Sequence, residues 1–178
     1  MGTGRTEQDD QRPLILPGPD VEVRPGWRLH DAQLEADAVA FWTRMGLLAP
    51  DVSPHQRAGE IIGGAYQDGR FLGVATGMVE RLEFLRARFV LLRVAVDRGA
   101  RGNHVGTALA AFAYKYLETW AAEHREEKIA GIAAVIQTQE YAKILKVPYW
   151  PPSRLGLVGF TPEGRQVRVA WFEHFHYD

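Results

Sequence analysis

The segment Asp97-Arg98-Gly99-Ala100-Arg101-Gly102-Asn103-His104-Val105-Gly106-Thr107 places three glycines and two arginines at the head of an apolar-periodic run. A glycine-rich turn that opens into a helix presents backbone N–H groups without intrahelical partners at the positive end of the helix dipole, and that end holds phosphate or pyrophosphate. The arginines add charge and a bidentate fork. The implied chemistry is the grip on an anionic, phosphate-bearing ligand. Glycine in such a turn also serves capping and packing, so the order of the surrounding elements has to carry the argument further.

Other residue types limit the chemistry by their scarcity. The chain has no cysteine, which removes disulfides, thiolate metal ligands and a Cys nucleophile. Its two serines, Ser53 beside Pro54 and Ser153 after Pro151-Pro152, lack the strand-turn-helix setting that exposes a nucleophile. Direct transfer is therefore expected over covalent catalysis. His174 and His176 alternate on one strand without a third ligand in view, so no metal site is expected and both read as surface residues. Arg93 is the one charge in an apolar strand and needs a carboxylate or backbone partner.

The elements that must position these residues follow from the periodicities. Residues 1–26 carry four of the ten prolines, with Pro17-Gly18-Pro19 and Pro25-Gly26 as breakers, and read as a flexible arm before a single domain over residues 27–178. Leu34, Ala38, Phe41, Trp42 and Met45 recur at helical spacing and predict a helix from Asp31 to Met45, stopped by Gly46. Residues 60–66 and 71–79 predict an antiparallel hairpin through Gln67-Asp68-Gly69-Arg70, where Asp-Gly supplies the positive φ of a tight turn. Residues 89–96 are apolar on both faces and predict a central strand.

Val105, Leu109, Phe112, Tyr116 and Trp120 then form the stripe of a long helix packed on that sheet. Residues 129–136 predict a further buried strand. A stretch containing Tyr141 follows, then the rigid Pro148-Tyr149-Trp150-Pro151-Pro152, then a closing strand over residues 166–172. Trp42, Trp150, Trp171 and Phe172 suit core packing, with the wall of an apolar pocket as the alternative.

This order of elements resembles the GNAT superfamily of N-acyltransferases, whose Gln/Arg-x-x-Gly-x-Gly/Ala signature sits between a central strand and a long helix. Arg101, Gly102, Asn103, His104, Val105 and Gly106 match it, except that His104 stands where the middle glycine usually is. The likeness runs from about Trp27 to the C-terminus and includes Gly159-Phe160 before the last strand. It implies an α/β (α+β) GNAT fold, a central mixed, mostly antiparallel, splayed sheet flanked by helices. It also implies acetyl-CoA or a longer acyl-CoA as co-substrate. Residues Arg101, Gly102, Asn103, His104, Val105, Gly106 and Thr107 would cradle the pyrophosphate. The backbone of Val94 and Val96 would pair with the pantetheine arm as an added strand would.

Moving an acyl group from a thioester to a primary amine calls for a base to take the amine proton and for a proton at the departing sulfur. Among Glu60, Glu80, Glu83 and Asp97, Glu60 is the first choice for the base; a structural ion pair between Glu60 and Arg93 is the alternative, and the two are not exclusive. The family's usual acid, a Tyr five positions before the Phe of Gly-Phe, is Leu155 in this chain. Tyr149 is the first substitute and Tyr141 the second. A variant reading takes a longer acyl chain, on CoA or an acyl carrier protein, to a Lys- or Orn-type side chain of a peptide. A third reading is a non-catalytic acyl-CoA-binding module.

Bulk properties agree with these expectations. With 178 residues, 21 basic against 22 acidic groups and five Trp, the chain suits one globular domain without a strong field of either sign. That argues against nucleic acid; the resemblance implies an amine-bearing small molecule or peptide as acceptor, with a homodimer as a further expectation. No apolar run approaches the roughly 20 residues of a membrane span, and residues 1–10 lack a signal-peptide core. The expected location is the cytoplasm. The match of residues 1–6 to an N-myristoylation pattern reads as chance in a polar leader.

Overall fold

A computed structural model describes residues 21–137 and 146–177. Eight strands form one sheet in the order β1-β2-β3-β4-β5-β8-β7-β6. They are β1 (Glu22–Pro25), β2 (Ile61–Gln67), β3 (Arg70–Leu82), β4 (Ala87–Val96), β5 (Ile129–Val135), β6 (Tyr149–Trp150), β7 (Leu155–Phe160) and β8 (Gln166–Trp171). Every pairing is antiparallel except β4 with β5. The mixed, mostly antiparallel sheet expected from the sequence is present, with β4 at its centre.

Three helices pack on it: α1 (Ala32–Met45), the short α2 (Pro54–Ala58) and α3 (Val105–Glu123). In α1 the Asp31 side chain accepts from Leu34 N at 3.0 Å, and Gly46 ends the helix at φ 62. Leu34, Ala38, Phe41 and Trp42 are its buried stripe and pack against Ile61, Tyr66 and Val74. Full burial of each large side chain contributes about 1.5–3 kcal/mol. Their strand neighbours Ile62, Ala65 and Ala75 belong to the other cluster, under α3. Successive residues of a strand point to opposite faces, so α1 and α3 lie on opposite sides of the sheet.

The β2–β3 turn is made by Asp68 (φ 50) and Gly69 (φ 75), the two positive-φ positions a tight hairpin needs. At Gly131 of β5 an added Cβ would lie 2.1 Å from the carbonyl oxygen of Ala170 on β8, so glycine permits that close strand approach.

Two expectations need correction. Residues 22–25 of the expected arm form β1, which pairs with β2 from Glu22↔Tyr66 to Pro25↔Gly63. A proline is tolerated there because β1 is an edge strand. Residues 1–20 of that arm lie outside the described residues, as does Tyr141. In α3, the buried line is Val105, Leu109, Ala113, Leu117 and Ala121, while Phe112, Tyr116 and Trp120 are half-buried beside it. Small alanines, Ala113 and Ala121, occupy buried positions of this line. The aromatic rings flank it, with Phe112 stacked on Tyr116 at 5.4 Å and Trp120 edge-on to Trp27 at 6.0 Å.

Candidate functional site

The sheet opens at its middle. Parallel pairing of β4 with β5 runs from Arg88↔Ile129 to Leu91↔Ala133 and goes no further among the described residues. Beyond it, Leu92 to Val96 pair with β3 on one side, while Ala134 and Val135 pair with β8 on the other. The inner edge of β4 from Leu92 to Val96 therefore keeps unpaired main-chain groups facing a cleft between the two halves. An extended ligand can add to such an edge by main-chain hydrogen bonds. Val94 and Val96, the expected pantetheine partners, lie on this edge.

The same strand delivers the chain into the glycine-rich turn. Asp97 ends β4, and its buried carboxylate accepts from Gly99 N at 2.8 Å and from Arg44 Nη2 at 2.9 Å, with Arg70 Nη2 at 3.5 Å. The Gly99 N–H, then the Arg70 and Arg44 guanidiniums, hold that carboxyl below the ordinary carboxylate range. One carboxylate thus ties the turn to the end of α1 and to the β2–β3 hairpin. A cleft of about 230 Å³ lies between that hairpin and the turn, lined by Asp68, Arg70, Gly99, Ala100 and Asn103.

The turn then reverses through Gly102 (φ 88) and His104 (φ 58, ψ 12), both left-handed. His104 caps α3 without a side-chain hydrogen bond. The N–H groups of Gly102, His104, Val105, Gly106 and Thr107 find no acceptor among the described residues, and the first helical bond is Ala108 N to His104 O at 2.9 Å. Arg98 and Arg101 lie exposed beside these donors, at the start of α3 where the sequence reading expects an anion to be held. His104 holds a left-handed backbone that glycine would adopt freely, at a steric cost of about 1–2 kcal/mol, and leaves an exposed imidazole at the turn. Histidine is among the residues that enter this region more often than most.

On the other side of β4 the structure brings Glu60 and Arg93 together. Arg93 Nη1 lies 3.6 Å from Glu60 Oε2, and Arg57 Nη1 of α2 donates to that same oxygen at 2.7 Å. Arg57 escaped the sequence reading because a five-residue helix has no periodicity to advertise it; the Arg-x-x-Glu spacing from Arg57 to Glu60 was the available signal. Glu60 precedes β2, with its carbonyl accepting from Gly77 N at 2.8 Å and its N–H donating to Arg57 O at 3.1 Å. Arg57 and Arg93 border a cleft of about 160 Å³, which Trp42, Leu47, Leu48 and Thr76 also line.

Tyr149 is not brought to this place. It lies on β6, the far edge of the sheet, paired with Gly156, half-exposed and hydrogen-bonded to Arg154. Counting from β2, five strands stand between them, so Glu60 and Tyr149 flank opposite ends of the sheet. The prolines around Tyr149 stiffen an edge strand, and the sheet order separates this candidate acid from Glu60. Leu155, at the family's usual Tyr position, is buried against α3.

A second buried charge was missed as well. Arg168 of β8 is fully buried and donates to Gln166 Oε1 (2.8 Å), Val147 O (2.7 Å) and Leu155 O (3.3 Å). Burial lowers the pKa of its guanidinium. Its bonds to backbone carbonyls staple the β7–β8 half together. His174 stacks on Phe172, and no group of three metal-ligating side chains occurs among the described residues. None of their helices is long and apolar enough to cross a membrane.

Comparison with known proteins adds the family. The model for the acetyltransferase (GNAT) family matches residues 35–143, more than half of the chain. A GNAT-family acetyltransferase from Streptococcus pneumoniae superposes with a TM-score of 0.56 at 13% identity, covering 85% of this chain and 99% of that one. The toxin AtaT, bound to the C-terminus of the antitoxin AtaR, gives 0.53 at 15% identity over 86% and 94%. An agmatine N-acetyltransferase gives 0.53 at 11% identity over 85% and 99%. At these identities the likeness to each structure is one of fold. A search of curated proteins returned no sequence match.

Proposed function

The chain belongs to the acetyltransferase (GNAT) family, and from that premise we propose that it moves an acyl group from acyl-CoA to a primary amine by direct transfer. The observation that carries this reading is the unpaired edge of β4 from Leu92 to Val96, running straight into the free N–H groups that open α3. An acyl-pantetheine arm suits the edge, and a pyrophosphate suits the cradle of Arg101, Gly102, Asn103, His104, Val105, Gly106 and Thr107.

The amine enters from the Glu60 side of the strand. Glu60 takes the amine proton, directly or through one water, while the backbone around Val94 polarises the thioester carbonyl. The C–N bond forms, the C–S bond breaks, and the thiolate takes its proton from water, since Tyr149 stands at the far edge. Positioning by the β4 edge supplies much of the rate. The 160 Å³ cleft beside Arg57 and Arg93 is smaller than sites that enclose drug-sized ligands, which favours a small acceptor.

Because the chain has no cysteine, every thiol released in the assay comes from CoA. Mixing the protein with acetyl-CoA and a panel of primary amines should release thiol in step with N-acetylated product, with no acylated protein by intact mass. Binding of acetyl-CoA without turnover on any amine would instead support a non-catalytic binding module. Faster turnover with long-chain donors would support the peptide-acylating variant.

A further inference from the structure

From the Arg57–Glu60–Arg93 cluster we infer that the acceptor is an amine that also carries a carboxylate, with an apolar substituent, as in a hydrophobic amino acid. This rests on the transferase reading above and names its substrate class.

The argument begins with charge. Two guanidiniums converge on one carboxylate oxygen, at 2.7 Å from Arg57 and 3.6 Å from Arg93, so the cluster holds one positive charge in excess. Burial and then the neighbouring Arg93 lower the pKa of Arg57, as expected where a cation lacks its full complement of anions. Arg93 is the underused member. Its Nη2 meets the thioether of Met78 at 3.4 Å, a weak acceptor, and its contact with Glu60 is long. A planar fork with spare donors, half-exposed on the central strand beside the open edge, matches a carboxylate bidentately.

The shape of the cleft supplies the rest of the class. Trp42, from the last turn of α1, and Leu47 and Leu48 just after it form an apolar wall across from Arg93 and Thr76. Leu47 is 47% exposed, an apolar surface at this wall. An acceptor with a carboxylate for Arg93, an apolar group for this wall and an amine toward Glu60 satisfies all three features. A diamine meets the excess positive charge and is disfavoured.

The test uses matched acceptors that differ by the carboxylate alone: leucine against 3-methylbutylamine, and phenylalanine against 2-phenylethylamine, each with acetyl-CoA. A hydrogen-bonded charge pair of this kind gives about a tenfold to hundredfold preference in kcat/KM for the acid. In Arg93→Gln that ratio should collapse toward one. Glu60→Gln, which raises the excess charge, should bind leucine at least as tightly in calorimetry with CoA present, even as turnover falls. Turnover of both members of each pair at equal efficiency overturns the inference and leaves the transferase reading standing. Arg93-dependent binding of leucine without any turnover keeps the inference and overturns the transferase reading. Absence of both binding and turnover of the acids overturns the inference.

Discussion

The two sides of β4 are built from different materials. On the donor side, seven consecutive residues form the cradle, and its ligands are mostly main-chain N–H groups fixed by Gly102, His104 and the first turn of α3. On the acceptor side, three side chains from three places, Arg57 in α2, Glu60 ahead of β2 and Arg93 in β4, meet at one oxygen. On the proposed function, the first arrangement would recognise what every acyl-CoA shares, and the second would carry the choice of acceptor.

Substitutions can break this contrast. The largest effect is expected for Glu60→Gln, which should lower kcat by about 10²–10⁴-fold, the usual contribution of a general base, while acetyl-CoA binding changes little. Unchanged turnover in steady-state assays would remove Glu60 from the chemistry. Next is Gly102→Val. A β-branched residue at φ 88 is strained by about 1–2 kcal/mol, so acetyl-CoA affinity should fall roughly five- to thirtyfold by calorimetry, with the preference among amines retained. A changed amine preference would show that the two sides are coupled.

Smaller effects sharpen the boundary. His104→Gly removes the imidazole from the cradle mouth while keeping a residue at home in the left-handed region, so acetyl-CoA should bind about threefold tighter or more, worth roughly 0.6 kcal/mol. Weaker binding would reveal the imidazole as a ligand of the pyrophosphate. Tyr149→Phe should change kcat less than about twofold, because the phenol lies at the opposite edge of the sheet from Glu60. A fall of tenfold or more would return it to the acid's role.

The same contrast explains what could be read from the sequence. The donor cradle was legible because its parts are contiguous: strand, glycine turn and helix follow one another, and local backbone geometry decides the outcome. The acceptor cluster was legible in part. A lone Arg93 in an apolar strand demanded a carboxylate, and Glu60 was the available partner, but Arg57 sat in a helix too short to show a pattern. Strand β1 was hidden by Pro25, which an edge strand tolerates and a central one does not. The stripe of α3 was read through its aromatic residues, whereas its buried positions include Ala113 and Ala121. Tyr149 looked fixed near the reaction because prolines stiffen it. Stiffness is local, however, and the sheet order that carries it away from Glu60 is not.

The claim that the donor is held chiefly by main-chain groups at the start of α3 has a direct measurement. Calorimetric titration of the protein with acetyl-CoA and with S-acetylpantetheine, which lacks the pyrophosphate and nucleotide, compares the cradle with the β4 edge alone. Loss of the charge-assisted hydrogen bonds to phosphate should weaken S-acetylpantetheine by about a hundredfold or more. Equal affinity for the two would contradict the account.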